Sequence, residues 1–181
     1  MVTAPAATAP DVYPASVTVS YLSGGAWMTA SSAPELLPVG IVGLGAMTAT
    51  ATSAQPGTAT APANAIDGNP ATIWHTVYSP TKDVPPQSIT LTLDEPRQIT
   101  GLTYQPRQDA SANGVVTGYT VYTSADGTTF TEVDSGALAA DKSTKTVNLP
   151  TSEVRAVRFE ATAGVGDYVA AAEIHLVAAT R

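Results

Sequence analysis

Thirteen residues of this chain, Asn64-Ala65-Ile66-Asp67-Gly68-Asn69-Pro70-Ala71-Thr72-Ile73-Trp74-His75-Thr76, gather a carboxylate in a tight turn, one of two tryptophans and one of two histidines. Two kinds of chemistry are available to such a stretch. The first is cation binding by oxygen. Ca²⁺ takes six to eight oxygens, many of them main-chain carbonyls offered by a tight loop. Here Asp67 offers a carboxylate, Gly68 permits the bend, Thr72 brings a hydroxyl and a carbonyl, and Glu173 closes the set from near the C-terminus. A purely local reading also stands: Asp before Gly commonly bonds the amides of its own turn. The second chemistry is recognition of a hydroxyl-rich ligand. His75, Arg107 and Asn113 are the types that grip hydroxyls: a rigid fork of donors, an amide that both gives and accepts, and an imidazole that does likewise. Each has a local alternative, with Arg107 near Asp109 and Asn113 before Gly114, where a type I′ turn would suffice.

These groups must be positioned by the rest of the 181 residues, which suffice for one ordinary domain and an appendage. Apolar residues make up 44% and charged residues only 13%, below the usual quarter. The wealth of Thr, Val, Gly and Pro favours strands and turns over long helices. Val17-Thr18-Val19-Ser20-Tyr21 and Ala26-Trp27-Met28-Thr29-Ala30, about a Ser23-Gly24-Gly25 turn, predict a hairpin with Trp27 packed on one face. Residues 1–14 read as extended or poorly ordered, and 1–45 together as linker and β-hairpin, a possible remnant of a preceding domain. From 46 to 179 short strands alternate with turns. The strands expected are Thr48–Ser53, Ser88–Leu93 (ended by Asp94-Glu95-Pro96), Ile99–Tyr104, Gly118–Ser124, Thr129–Val133, Thr144–Leu149, Val154–Ala161 and Ala172–Val177. One short helical turn is expected at Ala63–Ile66, and Trp74 is assigned to the core. The fold class is all-β, an antiparallel sandwich.

The ordered set Ala-Ile-Asp-Gly-Asn-Pro, Trp74-His75-Thr76, Pro106-Arg107-Gln108, Asn113-Gly114 and Tyr168-Val169-Ala170-Ala171-Ala172-Glu173-Ile174 resembles the discoidin or coagulation-factor type C superfamily, and within it the family 32 carbohydrate-binding modules. The resemblance covers about residues 46–178. It implies a discoidin-like jelly roll with a structural Ca²⁺ on Ala65, Asp67, Asn69, Thr72, Ala172 and Glu173. It implies a sugar site in which His75, Arg107 and Asn113 hydrogen-bond a galactose-type sugar while Tyr78 and Tyr168 stack on it. Two departures stand out: Tyr78 replaces a frequent Trp, and the loop Ser53-Ala54-Gln55-Pro56-Gly57-Thr58 lacks the acidic residue often found there.

The function implied is a non-catalytic module that recognises terminal galactose or N-acetylgalactosamine. Its partners would be a glycan and a covalently linked catalytic domain in a secreted bacterial glycoside hydrolase, with the module itself monomeric. The net charge of −7 argues against nucleic acid and against an anionic membrane surface. There are no cysteines, so stability rests on the core, with or without a metal, and no apolar run has transmembrane length. The first residues lack the signature of a signal peptide, leaving either a cytosolic protein or a segment of a longer secreted chain; the Ala/Thr/Pro-rich ends favour the second. No GxSxG, HExxH or cysteine nucleophile is present. Two alternatives to sugar binding stay open at this point: an adhesion or membrane-binding discoidin-type module, and a structural spacer with a decayed site.

Overall fold

The computed structural model describes residues 11–15, 18–23, 26–31, 35–43, 45–57 and 60–179, with side chains from residue 40 onward. Four short strands come first: β1 (Asp11–Ala15), β2 (Thr18–Ser23), β3 (Ala26–Ser31) and β4 (Glu35–Val39). β2 pairs with β3 from Thr18↔Ser31 to Ser23↔Ala26, the hairpin expected from the alternation. β1 pairs with β4 from Asp11↔Val39 to Ala15↔Glu35, so part of the segment expected to be extended or poorly ordered is a strand. The expected packing of Trp27 lies outside the described side chains.

The remaining strands are β5 (Met47–Ala51), β6 (Trp74–His75), β7 (Gln87–Gln105), β8 (Val116–Ser124), β9 (Thr131–Ala137), β10 (Lys145–Gly164), β11 (Ala170–Ala171) and β12 (Glu173–Ala178). A 3₁₀ turn over Pro62–Ile66 is the short helical turn expected there. The main sheet runs β12-β7-β10-β8-β9, with β5 also on β7, and every pairing is antiparallel. The fold is an antiparallel β-sandwich, as the strand rhythm predicts.

Its two longest strands depart from the sequence expectation. Asp94-Glu95-Pro96 does not end a strand; β7 continues through it, and β10 likewise continues through Pro150. Proline lacks the amide that a ladder needs, so the local pairing lapses there instead of the strand. The register between β10 and β7 accordingly shifts between Asn148 and Ser152 and again between Val154 and Ala156. The first half of β7 pairs with β5 and the second half with β12, so the bent strands carry both layers of the sandwich. Between the layers lie Ile89, Leu91, Leu93, Leu102, Tyr104, Val121, Val157, Phe159, Ile174 and Leu176, all buried. Tyr104 and Tyr119 stack on Phe159 at 5.5 and 6.0 Å between centroids.

Two buried aromatics carry polar handles into this core. The Trp74 indole N–H donates to the Ser53 carbonyl at 2.8 Å, tying β6 to the loop after β5. The Tyr104 hydroxyl donates to the Ala170 carbonyl at 2.9 Å and accepts from the Val116 amide at 3.0 Å. One phenol thus fixes the start of β8 and the start of β11 against β7. Burial raises its pKa far above the usual tyrosine value, so it stays neutral. Tyr104→Phe keeps the ring volume but orphans a buried amide and a buried carbonyl. Urea unfolding should show a loss of about 2–4 kcal/mol with an unchanged m-value.

Candidate functional site

The ends of β6, β7, β8 and β11 meet at one edge of the sandwich. β6 pairs with β11 through Trp74↔Ala171 and His75↔Ala170. Beyond them the Thr76 amide donates to the Val169 carbonyl at 2.9 Å, and the Val169 amide donates to the Thr76 hydroxyl at 3.2 Å. The 112–115 turn is laced to the 164–170 segment: Gly114 N–H donates to Val165 O, Ala170 N–H to Gly114 O and Val165 N–H to Val115 O, each at 2.9 Å. Gly114 is required on two grounds. Its φ is +90°, and a Cβ there would lie 2.8 Å from that of Ala170. Asn113 itself has no positive φ, so the turn is not the type I′ that Asn-Gly suggests, which needs positive φ at both central residues.

At this edge lies a cavity of about 340 Å³ lined by Thr60, Ile73, His75, Tyr78, Arg107, Ser111, Asn113 and Tyr168. All five residues named from the sequence as sugar contacts therefore converge. Thr60, Ile73 and Ser111 are additions with no sequence signal of their own. Tyr78 is 43% exposed and its ring meets the His75 ring edge-on at 5.2 Å, while the Tyr168 ring leans on His75 at 5.6 Å. Gln55 fixes the Tyr78 turn, its side-chain carbonyl accepting from the Tyr78 and Ser79 amides at 2.7 and 3.1 Å. Lys82 braces the other wall: its ammonium sits 4.7 Å over the Tyr168 ring, donates to the Gly166 carbonyl at 3.1 Å and pairs with Asp167 at 3.5 Å. Gly166 has no room for a side chain, since a Cβ would lie 2.9 Å from the Asn113 amide oxygen. The loop expected to lack a carboxylate receives one from elsewhere: the Ser53 hydroxyl donates to Asp83 at 2.7 Å.

The polarity of the cavity follows from two hydrogen-bond choices. His75 Nδ1 lies 2.7 Å from the Thr76 carbonyl, an acceptor only, so Nδ1 carries the proton. The neutral ring then offers Nε2 as an acceptor. Arg107 gives Nε–H and one Nη2–H to the two oxygens of Asp109, at 2.7 and 2.5 Å, and one Nη1–H to the Asn113 carbonyl at 3.1 Å. Two of its five N–H groups remain. Burial lowers the His75 pKa below the usual 6.5, and the Arg107 charge lowers it further, against the raising effects of the Thr76 bond and Asp109.

The second set of residues lies at the 3₁₀ turn, which packs against β12. Asp67 accepts from the Asn69 amide and the Thr72 hydroxyl, both at 2.8 Å, and the Asn69 carbonyl accepts from the Thr72 hydroxyl at 2.8 Å and the Thr72 amide at 3.0 Å. The local turn chemistry of Asp67 is therefore present. Glu173 is different. It is 3% exposed, one carboxylate oxygen pairs with His175 at 3.2 Å, and the other, Oε1, is buried with no hydrogen-bond partner. Burial pushes the Glu173 carboxyl above its usual pKa, the His175 pair and the Gly68 amide oppose this, and the nearby charge of Asp67 adds to the rise. An orphaned buried carboxylate oxygen that feels the charge of a second carboxylate nearby fits a cation. Among the described residues no three His, Cys, Asp or Glu side chains cluster as a metal site, so further ligands would have to be main-chain or hydroxyl oxygens. Ala65, Asn69, Thr72 and Ala172 supply oxygens of those kinds.

Residues 48–174 match the F5/8 type C domain, and the chain belongs to that family. Among solved structures, it is similar to a family 32 carbohydrate-binding module of Clostridium perfringens NanJ in complex with galactose (30% identity, TM-score 0.66, covering 72% of this chain and 92% of that one). It is also similar to the Clostridium perfringens module CpGH89CBM32-5 in complex with GalNAc-β-1,3-galactose (38% identity, TM-score 0.71, 75% and 97%). Among curated proteins it is 41% identical over 134 residues to an A type blood N-acetyl-α-D-galactosamine deacetylase of Flavonifractor plautii and 34% identical over 163 residues to a sialidase of Micromonospora viridifaciens. These alignments take in 73% and 88% of this chain but only 17% and 24% of the two relatives.

The His75 geometry has a direct readout. Long-range ¹H–¹⁵N spectra should show the Nδ1–H tautomer and a titration midpoint below 6.5. Because the folded state then holds fewer protons than the unfolded chain between that midpoint and 6.5, this residue's contribution is full above 6.5 and lost as pH falls through the window.

Proposed function

We infer that residues 46–179 form a non-catalytic carbohydrate-binding module for terminal galactose, N-acetylgalactosamine or a related sugar. It would serve as an accessory part of a secreted bacterial glycoside hydrolase, anchoring a linked catalytic domain to its glycan. The observation that carries this reading is the convergence of His75, Arg107 and Asn113 with the rings of Tyr78 and Tyr168 around one open cavity. A pyranose has an apolar patch of C–H groups and a rim of hydroxyls. The exposed Tyr78 ring and the braced Tyr168 ring suit the patch. The acceptor on His75 and the free N–H groups of Arg107 suit a hydroxyl that gives one hydrogen bond and receives another. The likeness to modules solved with galactose and with a GalNAc-galactose disaccharide supports the sugar class. The greater length of the curated relatives supports the accessory role.

The same reading places a structural Ca²⁺ between Asp67 and Glu173, with Ala65, Asn69, Thr72 and Ala172 completing its oxygens. When bound, the ion would supply a cross-link between the 65–72 loop and β12 and offset the charges of Asp67 and Glu173. The protein's part is to hold the loop preformed through the Asp67, Asn69 and Thr72 bonds and to keep Glu173 dry.

Two experiments test this. The cavity is shallow, so monovalent affinity for galactosides should lie in the range of about 10 μM to 1 mM by titration calorimetry. His75→Ala and Arg107→Ala should each abolish measurable binding and leave the circular dichroism spectrum intact; normal binding by both would refute the site. Chelation by EDTA should lower the melting temperature by about 5–10 °C, with recovery on adding Ca²⁺, and Asp67→Ala should remove that response.

A further inference from the structure

Asp109 does not line the cavity, yet it pairs with Arg107, which among the described residues is the lysine or arginine that does. Its two oxygens occupy the Nε/Nη2 edge of Arg107 in a bidentate pair, which fixes the plane of the guanidinium as well as its position. The Arg107 side chain is only 12% exposed, so its charge is poorly screened by water, and Asp109 is its carboxylate partner there. Asp109 is itself held by two further bonds. Its Oδ1 accepts from the Ser111 amide at 3.1 Å, its carbonyl accepts a short bond from the Lys142 ammonium, and Lys142 in turn offers its own carbonyl to the Gln108 amide at 3.2 Å. The bond to Arg107 lowers the Asp109 carboxyl below its usual pKa. Lys82, over the Tyr168 ring that lines the cavity, has Asp167 as a counter-charge.

We propose that Asp109 is a positioning and specificity-determining residue: it aims the two unused Arg107 N–H groups into the cavity and cancels the guanidinium charge there, so that the site takes neutral sugars in preference to sulfated or carboxylated ones. This rests on the reading of the cavity as a sugar site. Loss of the carboxylate frees the guanidinium to turn and leaves its charge facing the ligand. An anionic sugar then gains a partner that a neutral sugar cannot use.

The test uses the full chain and Asp109→Asn, with two independent readouts. The first needs no sugar. The Arg107 Nε–H resonance should be resolved and slow to exchange in the parent protein, and should collapse into the averaged arginine signals in the variant. The second is titration with galactose and with galactose 6-sulfate. Affinity for galactose should fall about ten-fold, while preference for the sulfated sugar should rise about five-fold at low salt and shrink towards unity near ~0.5 M salt. In an Arg107→Lys background the same change should alter galactose affinity less than about two-fold, because Asp109 acts through the guanidinium. An unchanged Arg107 resonance, or an unchanged ratio of sulfated to neutral affinity, overturns the proposal. A collapsed Arg107 resonance in a protein that binds no galactoside at all supports the hold of Asp109 on Arg107 and sinks the sugar reading instead.

Discussion

The buried hydroxyl of Tyr104 is the point on which the edge that carries the cavity depends. It sits between the two layers and makes two hydrogen bonds, one to the start of β8 and one to the start of β11. Those are the segments that carry Asn113 on one side and Tyr168 on the other. In a dry core an unpaired amide or carbonyl is costly, so the two chain segments are confined to positions where the phenol satisfies both. The direct lacing of Gly114 to Val165 and Ala170 then follows at 2.9 Å, a closeness that only a residue without Cβ permits. Loops in a sandwich are otherwise free to splay; here the core reaches out and holds them.

Above that frame the cavity is organised by fixed proton positions rather than by depth. The Thr76 carbonyl sets the tautomer of His75, and Asp109 sets the plane of Arg107. Rings at right angles and tilted angles around His75 keep its edge oriented. An open site of this kind gains little from buried area, so pre-ordering of its polar groups is what remains to give selectivity. The Asp67 loop lies next to this edge in the chain. It precedes Trp74 and His75 by a few residues, and a cross-link from it to Glu173 would stiffen the strand that presents the imidazole.

Much of the sandwich was legible because strand formation depends on near neighbours: Ser88–Leu93 alternates, and the core duly takes Ile89, Leu91 and Leu93. Asp94-Glu95-Pro96 misled because a proline reads locally as a stop, whereas β10 pairs with β7 both before and after the gap. Of the site, the five residues named from the ordered motifs do meet. Thr60, Ile73 and Ser111 carry no chemistry that would single them out among the many threonines, serines and aliphatic residues of the chain.

The sequence by itself determined the strand alternation, the identity of the polar and aromatic groups, and their order along the chain, since these are properties of residues and their immediate neighbours. Tertiary structure alone decided which nitrogen of His75 is protonated, that Asp109 holds Arg107 bidentately while Arg107 still lines the cavity, that Lys82 braces Tyr168, and that Asp83 serves a loop thirty residues before it. Each of those depends on the direction of a single donor or acceptor brought in from a distant segment, and a linear order of residues carries no direction.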